Sequence, residues 1–318
     1  MQLSKSMRWK AWITVLAVLA TSCLLADRFC THGFLRSSLS DSARIEHLYL
    51  ENDGEIPIFG TSKVHGFCSP ADMGLNAYNY GMDSASYEVT DVFLQIELAK
   101  PKTTPIIVEL QHADTGLLGE KSKFIPFVFD PRFRQLLTRF DALEWRYFIP
   151  GIRYFGYYDW ILKQDLEDRT RITTIDRGFS QLVHPPPFDR EELNRQVHAR
   201  LQKTTGFFPN EDQSRRLIAH ITEHPQRLFI LVVPPYHPSY YEHFQNEQEF
   251  EQYEARLAAF TNVVVIDWGR MHYPDESFLD TLHLRLEGCK DFSKKLGDKI
   301  RQILRERNEP ALPREPAT

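Results

Sequence analysis

Three residues near opposite ends of the chain have the side-chain types that a serine esterase needs. Ser62 follows the apolar run 55–59, and Asp280 and His283 lie three positions apart near the C-terminal end. A serine hydroxyl is a weak nucleophile and needs an imidazole within hydrogen-bonding distance to accept its proton. A carboxylate beside the imidazole fixes its tautomer and stabilises its charged form. We predict that these residues form a catalytic group; the simpler alternative is that Ser62 only caps a helix.

The carbonyl oxygen attacked in such a reaction develops negative charge and requires hydrogen-bond donors. We predict that the backbone N–H groups of Ser62 and Gly81 supply two of them, because both residues stand at expected helix starts, where N–H groups lack partners. Gln111 and His112, directly after the apolar run 105–110, are the candidates for a third donor.

Further polar side chains close to these positions are candidates for contact with substrate. They are Lys63, Tyr236 and His237. We expect Lys63 to be a solvated or phosphate-facing charge. His65 is a rival base because it follows Ser62 by three residues, but we expect it to point along the next helix. No spacing typical of a metal site or of a Gly-rich phosphate loop occurs, so neither a metal nor a soluble cofactor is expected.

The elements that must position these residues alternate along the chain. Apolar runs expected to form buried strands occupy residues 55–59, 105–110, 227–233 and 262–267. Helices are expected over residues 82–98, 131–145, 213–223, 246–260 and 290–308. This alternation predicts a parallel sheet covered by helices on both faces. Because active groups gather beyond the carboxyl ends of such strands, Ser62 and His283 are expected to meet there.

Residues 146–210 interrupt the alternation. They are rich in aromatic residues and contain three consecutive prolines at 185–187, so we interpret them as an insertion that forms a lid or a partner surface. The aromatic cluster at 145–160 suits a packed core, a sugar-stacking platform or a membrane-surface contact. The predicted organisation is a membrane segment at 1–28, one α/β domain at 29–308 and a disordered tail at 309–318.

The N-terminal segment has the pattern of a membrane anchor. Basic residues precede the uncharged run 11–26, which ends at Asp27 and Arg28. A span needs about 17–25 residues, and Trp9 can extend this run by lying at the interface. Positive charge before the run predicts a cytoplasmic N-terminus and an extracytoplasmic domain. Cleavage as a lipoprotein at Cys23 and cleavage as a secretory signal are the alternatives.

The bulk composition excludes one class of partner. The chain has 318 residues and a formal net charge of −5, and it shows no basic stripe, which argues against nucleic acid. Its four cysteines lack the CxxC spacing of zinc or thioredoxin-like sites. Cys30, Cys68 and Cys289 are left open as free thiols or as a set that includes one disulfide.

Several short motifs together resemble the SGNH (GDSL-type) hydrolase superfamily. They are Gly60-Thr61-Ser62 after the first strand, Gly81 at the place of the glycine that follows the family's second strand, and Asp280-Thr281-Leu282-His283-Leu284 followed by Gly288 and Phe292-Ser293. The resemblance covers about residues 55–305, apart from the insertion. Two departures concern activity: Thr61 stands where the hydrolases carry aspartate, and no GxND motif supplies their asparagine donor.

The resemblance implies a three-layer α/β/α flavodoxin-like fold with Ser62 as nucleophile, His283 as base and Asp280 as the acid that orients it. With the anchor and the segment 234–238, the chain looks like exported proteins that work beside membrane acyltransferases in teichoic-acid D-alanylation and alginate O-acetylation. The expected function is acyl transfer or ester hydrolysis on O-acyl groups, acetyl above all, of a cell-surface polysaccharide. An integral-membrane acyltransferase is the expected partner. The alternative is a non-catalytic scaffold or glycan-binding subunit.

Overall fold

The structure is a computed structural model that describes residues 5–36, 41–50, 53–110, 117–157, 173–182, 187–201, 211–241 and 246–307. The chain forms two compact units: an anchor unit of residues 1–43 with 120–170, and a sheet unit of residues 44–119 with 171–318. The predicted boundary at residue 28 and the predicted insertion at 146–210 stay predictions.

A five-stranded sheet forms the centre of the sheet unit. Its strands are β1 (Ile56–Phe59), β2 (Ala77–Asn79), β3 (Ile106–Glu109), β6 (Phe229–Val233) and β7 (Val263–Asp267), and β4 (Thr173–Asp176) and β5 (Phe179–Leu182) form a separate antiparallel hairpin. The strand order is β2-β1-β3-β6-β7, and all pairs in the sheet are parallel. The order reverses direction between β1 and β3, where flavodoxin-like sheets bind ligands.

The described helices are α1 (Lys5–Arg36), α2 (Asp41–Leu50), α3 (Ser62–Phe67), α4 (Pro70–Met73), α5 (Tyr87–Leu98), α6 (Pro131–Arg139), α7 (Arg190–Leu201), α8 (Glu211–Glu223), α9 (Pro238–Tyr241), α10 (Glu247–Ala258) and α11 (Leu286–Glu306). Short 3-10 helices cover Lys121–Phe127, Trp145–Phe148 and Asp275–Ser277.

Helices cover both faces of the sheet. Alternate side chains of a strand point to opposite faces, so neighbouring residues of one strand contact different helices. Ile58 of β1 joins Phe292 and Leu296 of α11 in one buried cluster. The neighbouring Phe59 faces the other way, and its ring centroid lies 6.2 Å from that of Phe93 on α5. The predicted three-layer α/β/α architecture is thus confirmed.

The predicted strands agree with the observed ones to within two residues, but three helix boundaries were wrong. The helix expected at residue 290 begins four residues earlier, at Leu286. The helix expected at residue 82 begins at Tyr87, because Ser84 has a φ of 55° and interrupts the helical backbone. The helix expected over 131–145 ends at Arg139, and Asp141 likewise has a positive φ of 50°.

The β4–β5 hairpin covers the exposed edge of the sheet. Its tip residues Arg177 and Gly178 have φ values of 44° and 84°, as a tight hairpin turn requires. The backbone N–H of Asn79 donates to the Arg177 carbonyl at 2.8 Å. Gly178 is required at this contact because a Cβ atom there would overlap the Asn79 carbonyl oxygen. Part of the predicted insertion is therefore an edge cover for β2.

Helix α1 carries the one candidate membrane span found in the described part of the chain. The most apolar 18-residue window of the stretch Trp9–Gly33 has a mean hydropathy of 1.7, and only 11% of that window is buried. Length and composition suit an anchor or a signal sequence, and the low burial is unlike a core helix. The four cysteines, all of which lie in described ranges, form no disulfide.

Candidate active site

Ser62 lies at the start of a helix that follows directly from a central strand. β1 ends at Phe59, Gly60 makes the turn, and Thr61 caps α3 by accepting a hydrogen bond from the Lys63 backbone N–H. As the first residue of α3, Ser62 has a backbone N–H without an intrahelical acceptor. The turn therefore presents a hydroxyl and an N–H at the carboxyl end of β1.

Glu109, which the sequence did not indicate as a residue of the site, holds this turn in place. It is the last residue of β3, and its carboxylate accepts hydrogen bonds from the Thr61 N–H at 2.7 Å and from the Thr61 hydroxyl at 2.9 Å. A Cβ atom at Gly60 would lie 2.5 Å from Glu109 Oε2, so this close approach requires glycine. The only signal in the sequence was an acidic residue inside an otherwise apolar strand.

Lys63 is buried beneath the turn, so the prediction of a solvated charge was wrong. Its Nζ lies 2.8 Å from Glu109 Oε1 and donates to the Tyr236 hydroxyl at 2.7 Å. Burial alone would lower the pKa of Lys63, but the Glu109 carboxylate and Tyr236 outweigh it and raise that pKa above its usual value. Lys63 and Tyr236, both predicted to contact substrate, thus bind each other and Glu109, which holds the turn that carries Ser62.

His283 brings the predicted catalytic residues together. Its Nε2 accepts from the Ser62 hydroxyl at 2.8 Å, and its Nδ1–H donates to Asp280 Oδ2 at 2.8 Å. Asp280 Oδ1 also accepts from the backbone N–H groups of Leu282 at 2.7 Å and of His283 at 2.9 Å. These bonds fix the carboxylate and place the proton of the neutral imidazole on Nδ1. The arrangement suits proton removal from Ser62.

The loop that carries Asp280 is tied to the preceding PPYHP segment. The backbone N–H of His237 donates to the Thr281 carbonyl at 3.1 Å. The His237 ring is buried, lies 3.3 Å from Asp275 Oδ1 and packs edge-on against Phe278 with centroids 5.0 Å apart. His237, predicted to bind substrate, is thus packed against the loop that carries Asp280 and supports that loop's position.

Asn79 joins the Gly81 loop to α3. Its Nδ2 donates to the carbonyls of Val64 at 2.7 Å and of Cys68 at 2.8 Å, which assigns the amide orientation. Its Oδ1 accepts the backbone N–H of Gly81 at 2.8 Å. The N–H that we predicted for the oxyanion therefore already has an acceptor, and Gly81 can serve an oxyanion only by sharing or releasing this bond. A Cβ at Gly81 would lie 2.5 Å from the His65 backbone nitrogen.

The remaining predicted oxyanion donors, Gln111 and His112, lie outside the described residues. Their role stays a prediction.

A second group of serine, histidine and aspartate surrounds His65. Its Nδ1 lies 2.8 Å from Asp83 Oδ1, and its Nε2 lies 2.8 Å from the Ser180 hydroxyl. The Arg44 guanidinium also approaches Nε2, at 2.6 Å, and donates to the Gly81 carbonyl at 3.0 Å. Because arginine can only donate, Nε2 must be an acceptor and Nδ1 must carry the proton.

Asp83 remains ionised within this second group. Desolvation by the groups around it would raise its pKa, but the hydrogen bond from the His65 ring, together with Arg44 and His283, holds the pKa well below its usual value of 3.8. The group fixes the Gly81 loop and α3 to each other, next to Ser62.

A cavity of about 260 Å³ opens beside the catalytic loop. α7 and the residues before it contribute Phe188, Glu192, Leu193 and Gln196, and the loop contributes Leu279 and Arg285. The lining combines apolar and charged groups, and it includes none of Ser62, Asp280 and His283.

Comparisons with known proteins add little to this geometry. No protein-family model and no curated protein matches the sequence. Among solved structures, a candidate lipolytic protein of the G-D-S-L family from Desulfitobacterium hafniense DCB-2 is similar over 77% of this chain and 99% of that chain, with a TM-score of 0.38 and 12% identity. A TM-score this low supports no argument about activity, so the function of the site is inferred from its geometry alone.

Proposed function

We propose that this chain is a serine-dependent acyltransferase or esterase of the SGNH type, with Ser62 as nucleophile. One observation carries the proposal: the hydrogen-bonded series from the Ser62 hydroxyl through His283 to Asp280, with distances of 2.8 Å at both steps. A helix cap needs no such series, because capping uses the serine oxygen and a backbone N–H alone.

The reaction proceeds in two steps through an acyl-enzyme. Ser62 Oγ forms a bond to the acyl carbonyl carbon while its proton passes to His283 Nε2, and the tetrahedral intermediate then expels the alcohol, which takes that proton. In the second step a sugar hydroxyl or water attacks the acyl carbon and gives its proton to His283 Nε2. The bond from that carbon to Ser62 Oγ then breaks, Oγ takes the proton back from His283, and the acylated sugar or the free acid leaves. Asp280 stays ionised throughout and stabilises the imidazolium that forms in each step.

The oxyanion is stabilised first by the Ser62 N–H at the start of α3. Gly81 is the second donor, sharing its N–H between the oxyanion and Asn79 in a three-centre bond. This sharing weakens the donor for every acceptor, and positioning of the acceptor can offset that loss. We therefore propose that the enzyme transfers its acyl group to a hydroxyl held in place by the protein more effectively than to water.

We further propose that the acceptor or donor is an O-acylated cell-surface polysaccharide, with acetyl as the acyl group. The cavity between α7 and the loop residues Leu279 and Arg285 has a mixed polar and apolar lining, which supports a sugar more than a lipid chain. The helix Trp9–Gly33 supports a single-span anchor with the sheet unit outside the membrane, where an integral-membrane acyltransferase would supply the acyl group. A scaffold or glycan-binding subunit remains the second candidate, since it needs the fold but no reactive serine.

A fluorophosphonate probe tests the nucleophile directly. We expect the probe to modify Ser62, as located by peptide mass mapping, and to leave Ser62→Ala unlabelled. Ser180→Ala is the matched control, because Ser180 also lies 2.8 Å from a histidine nitrogen, and it should label like the unmodified chain. Absence of any label on Ser62 in folded protein would favour the scaffold.

The acceptor is tested with p-nitrophenyl acetate as donor. We expect nitrophenol release to rise when an unacetylated oligosaccharide is added, with O-acetyl groups appearing on the sugar by mass spectrometry. Release that is unchanged by the oligosaccharide, with acetate as the sole product, would identify a simple esterase.

A further inference from the structure

The anchor unit exposes an apolar surface beside its membrane helix. We call it the apolar collar; its side chains are exposed by 37–72%, and they are Phe129, Trp145, Ile149, Ile152 and Phe155. An exposed group of large apolar and aromatic side chains marks a surface that contacts a partner or a membrane. The catalytic proposal above does not use it.

Backbone and ring contacts hold the collar together as one structure. The backbone N–H groups of Ile152 and Phe155 donate to the carbonyls of Ile149 and Ile152, at 3.3 and 3.0 Å. The Arg146 guanidinium donates to the Phe155 carbonyl, which ties the two ends of this segment together. The Phe129 ring packs edge-on against Phe148, with centroids 5.8 Å apart.

The same segment is attached to one face of α1. The Arg153 guanidinium binds both carboxylate oxygens of Asp27 at 2.6 Å, and the Tyr154 hydroxyl lies 2.7 Å from Thr31 Oγ1. Gly151 packs directly on Cys23, since a Cβ atom there would lie 2.5 Å from the Cys23 Cβ. Cys23, Asp27 and Thr31 recur every four residues, which places them on one side of the helix.

These contacts fix the depth of the collar relative to a bilayer. At about 1.5 Å per residue, Asp27 lies about 27 Å along the helix from Trp9, close to the roughly 30 Å thickness of the hydrocarbon core. Asp27 therefore falls at the far boundary of the membrane when Trp9 marks the near one. A carboxylate at that depth is costly unless it is paired, and Arg153 of the collar segment pairs it.

We propose that the apolar collar inserts into the headgroup–acyl boundary of the bilayer that α1 spans. Trp145 and Phe155 then lie at the level where aromatic rings are most favourable, with their apolar area in the acyl region. The anchor unit holds the membrane both by a spanning helix and by a surface that lies in the interface. This inference rests on the proposed span and on neither the catalytic residues nor the substrate.

Photocrosslinking of the full-length chain in vesicles of phosphatidylcholine and phosphatidylglycerol tests the inference. Benzoylphenylalanine replaces Trp145 or Phe155 in separate variants, and a third variant carries it in place of Lys299 on α11 as the negative control. We expect the yield of lipid adducts at 145 and 155 to be at least about five times the yield at 299. Position 12, inside the span, is the positive control. Adducts at 12 with none above background at 145 and 155 would overturn the collar alone, whereas no adduct at 12 would overturn the proposed span.

Crosslinking in membranes of the expressing cell distinguishes the other possible occupant of the collar. Lipid adducts add a small mass, and protein adducts produce a large shift. Dominant protein adducts at Trp145 and Phe155 would overturn the lipid assignment in favour of a protein partner.

Two glycine substitutions test the attachment that sets the depth. Gly151→Ala should lower lipid adducts at Phe155 several-fold, because its new methyl group meets Cys23 on α1. Gly156→Ala is the matched control: its φ of 92° resembles the 89° of Gly151, but its Cβ would meet only Arg146 at 4.0 Å. Equal effects of the two substitutions would contradict the proposed attachment.

Discussion

Two groups in the sheet unit contain the same three side-chain types, with the same distances between their hydrogen-bonded atoms. They are Ser62, His283 and Asp280 in the first group, and Ser180, His65 and Asp83 in the second. The serine oxygen lies 2.8 Å from a histidine Nε2 in both groups, and each histidine Nδ1 lies 2.8 Å from a carboxylate oxygen. These distances alone do not separate a catalytic group from a structural one.

The environment of Nε2 separates the two groups. His65 Nε2 faces the Arg44 guanidinium as well as Ser180, so its lone pair is already engaged and a proton there would meet a positive charge. His283 Nε2 faces Ser62, which begins a helix and has a backbone N–H directed outward. A serine–histidine–aspartate group acts as a catalyst only where the second nitrogen is able to accept a proton.

The largest expected effect is a loss of turnover when His283 is replaced, and the same replacement of His65 is the comparison. His283→Ala should lower the turnover of p-nitrophenyl acetate by roughly 10⁴-fold, because Ser62 loses its base. His65→Ala should lower it by less than roughly tenfold, acting only through the position of the Gly81 loop. Steady-state kinetics on folded variants, checked by circular dichroism, measures both. Similar losses in the two variants would mean that the second group takes part in the chemistry.

A smaller effect, on the free energy of unfolding, is expected from the buried ion pair between Lys63 and Glu109. This pair supports the turn that carries Ser62. Glu109→Gln leaves the Lys63 ammonium buried without its carboxylate and should reduce the free energy of unfolding by about 3–5 kcal/mol. Glu287→Gln, which breaks the exposed pair with Lys290, should leave it nearly unchanged, because water and salt screen an exposed pair. Denaturant titration measures both. The double variant Lys63→Met, Glu109→Gln should recover part of the loss, and no recovery would show that Lys63 is not the cause.

The smallest effect is expected from the carboxylate of the second group, and it depends on pH. The folded pKa of Asp83 lies below 3.8, so ionised Asp83 stabilises the fold above that pH, and this stabilisation is lost as the pH falls through the lowered folded value. Asp83→Asn should therefore lower the free energy of unfolding at pH 7, with the difference from the unmodified chain shrinking in acid. Denaturation at a series of pH values measures this, and a difference that stays constant would contradict the assignment.

The architecture was readable from the sequence because its central strands are continuous apolar runs with helices between them. β2 was not readable, because Ala77–Asn79 is three residues long and becomes a strand only by pairing with β1. The β4–β5 hairpin was missed for a related reason. Its position depends on Gly178 meeting the end of β2, a contact between residues far apart in sequence.

At the site, residue types and their place after strands were enough to predict the Ser62, His283 and Asp280 group. The burial of Lys63 was not predictable, since its counter-ion Glu109 comes from a neighbouring strand. The bond from Gly81 to Asn79 spans only two residues, but it forms because Asn79 is also held by α3. Local sequence shows which groups are available, and the tertiary contacts decide which of them are already engaged.

The separation of 221 residues between Ser62 and His283 also bears on when this pair can form during synthesis. A ribosome releases residue 62 long before residue 283, so a chain interrupted between them carries the serine without this histidine. The loop that carries His283 leads directly into α11, whose Arg301 guanidinium donates to the Met73 carbonyl of α4 at 2.6 Å. On the proposed mechanism, reactivity toward acyl esters therefore begins only after residue 283 has been synthesised and has folded against α3.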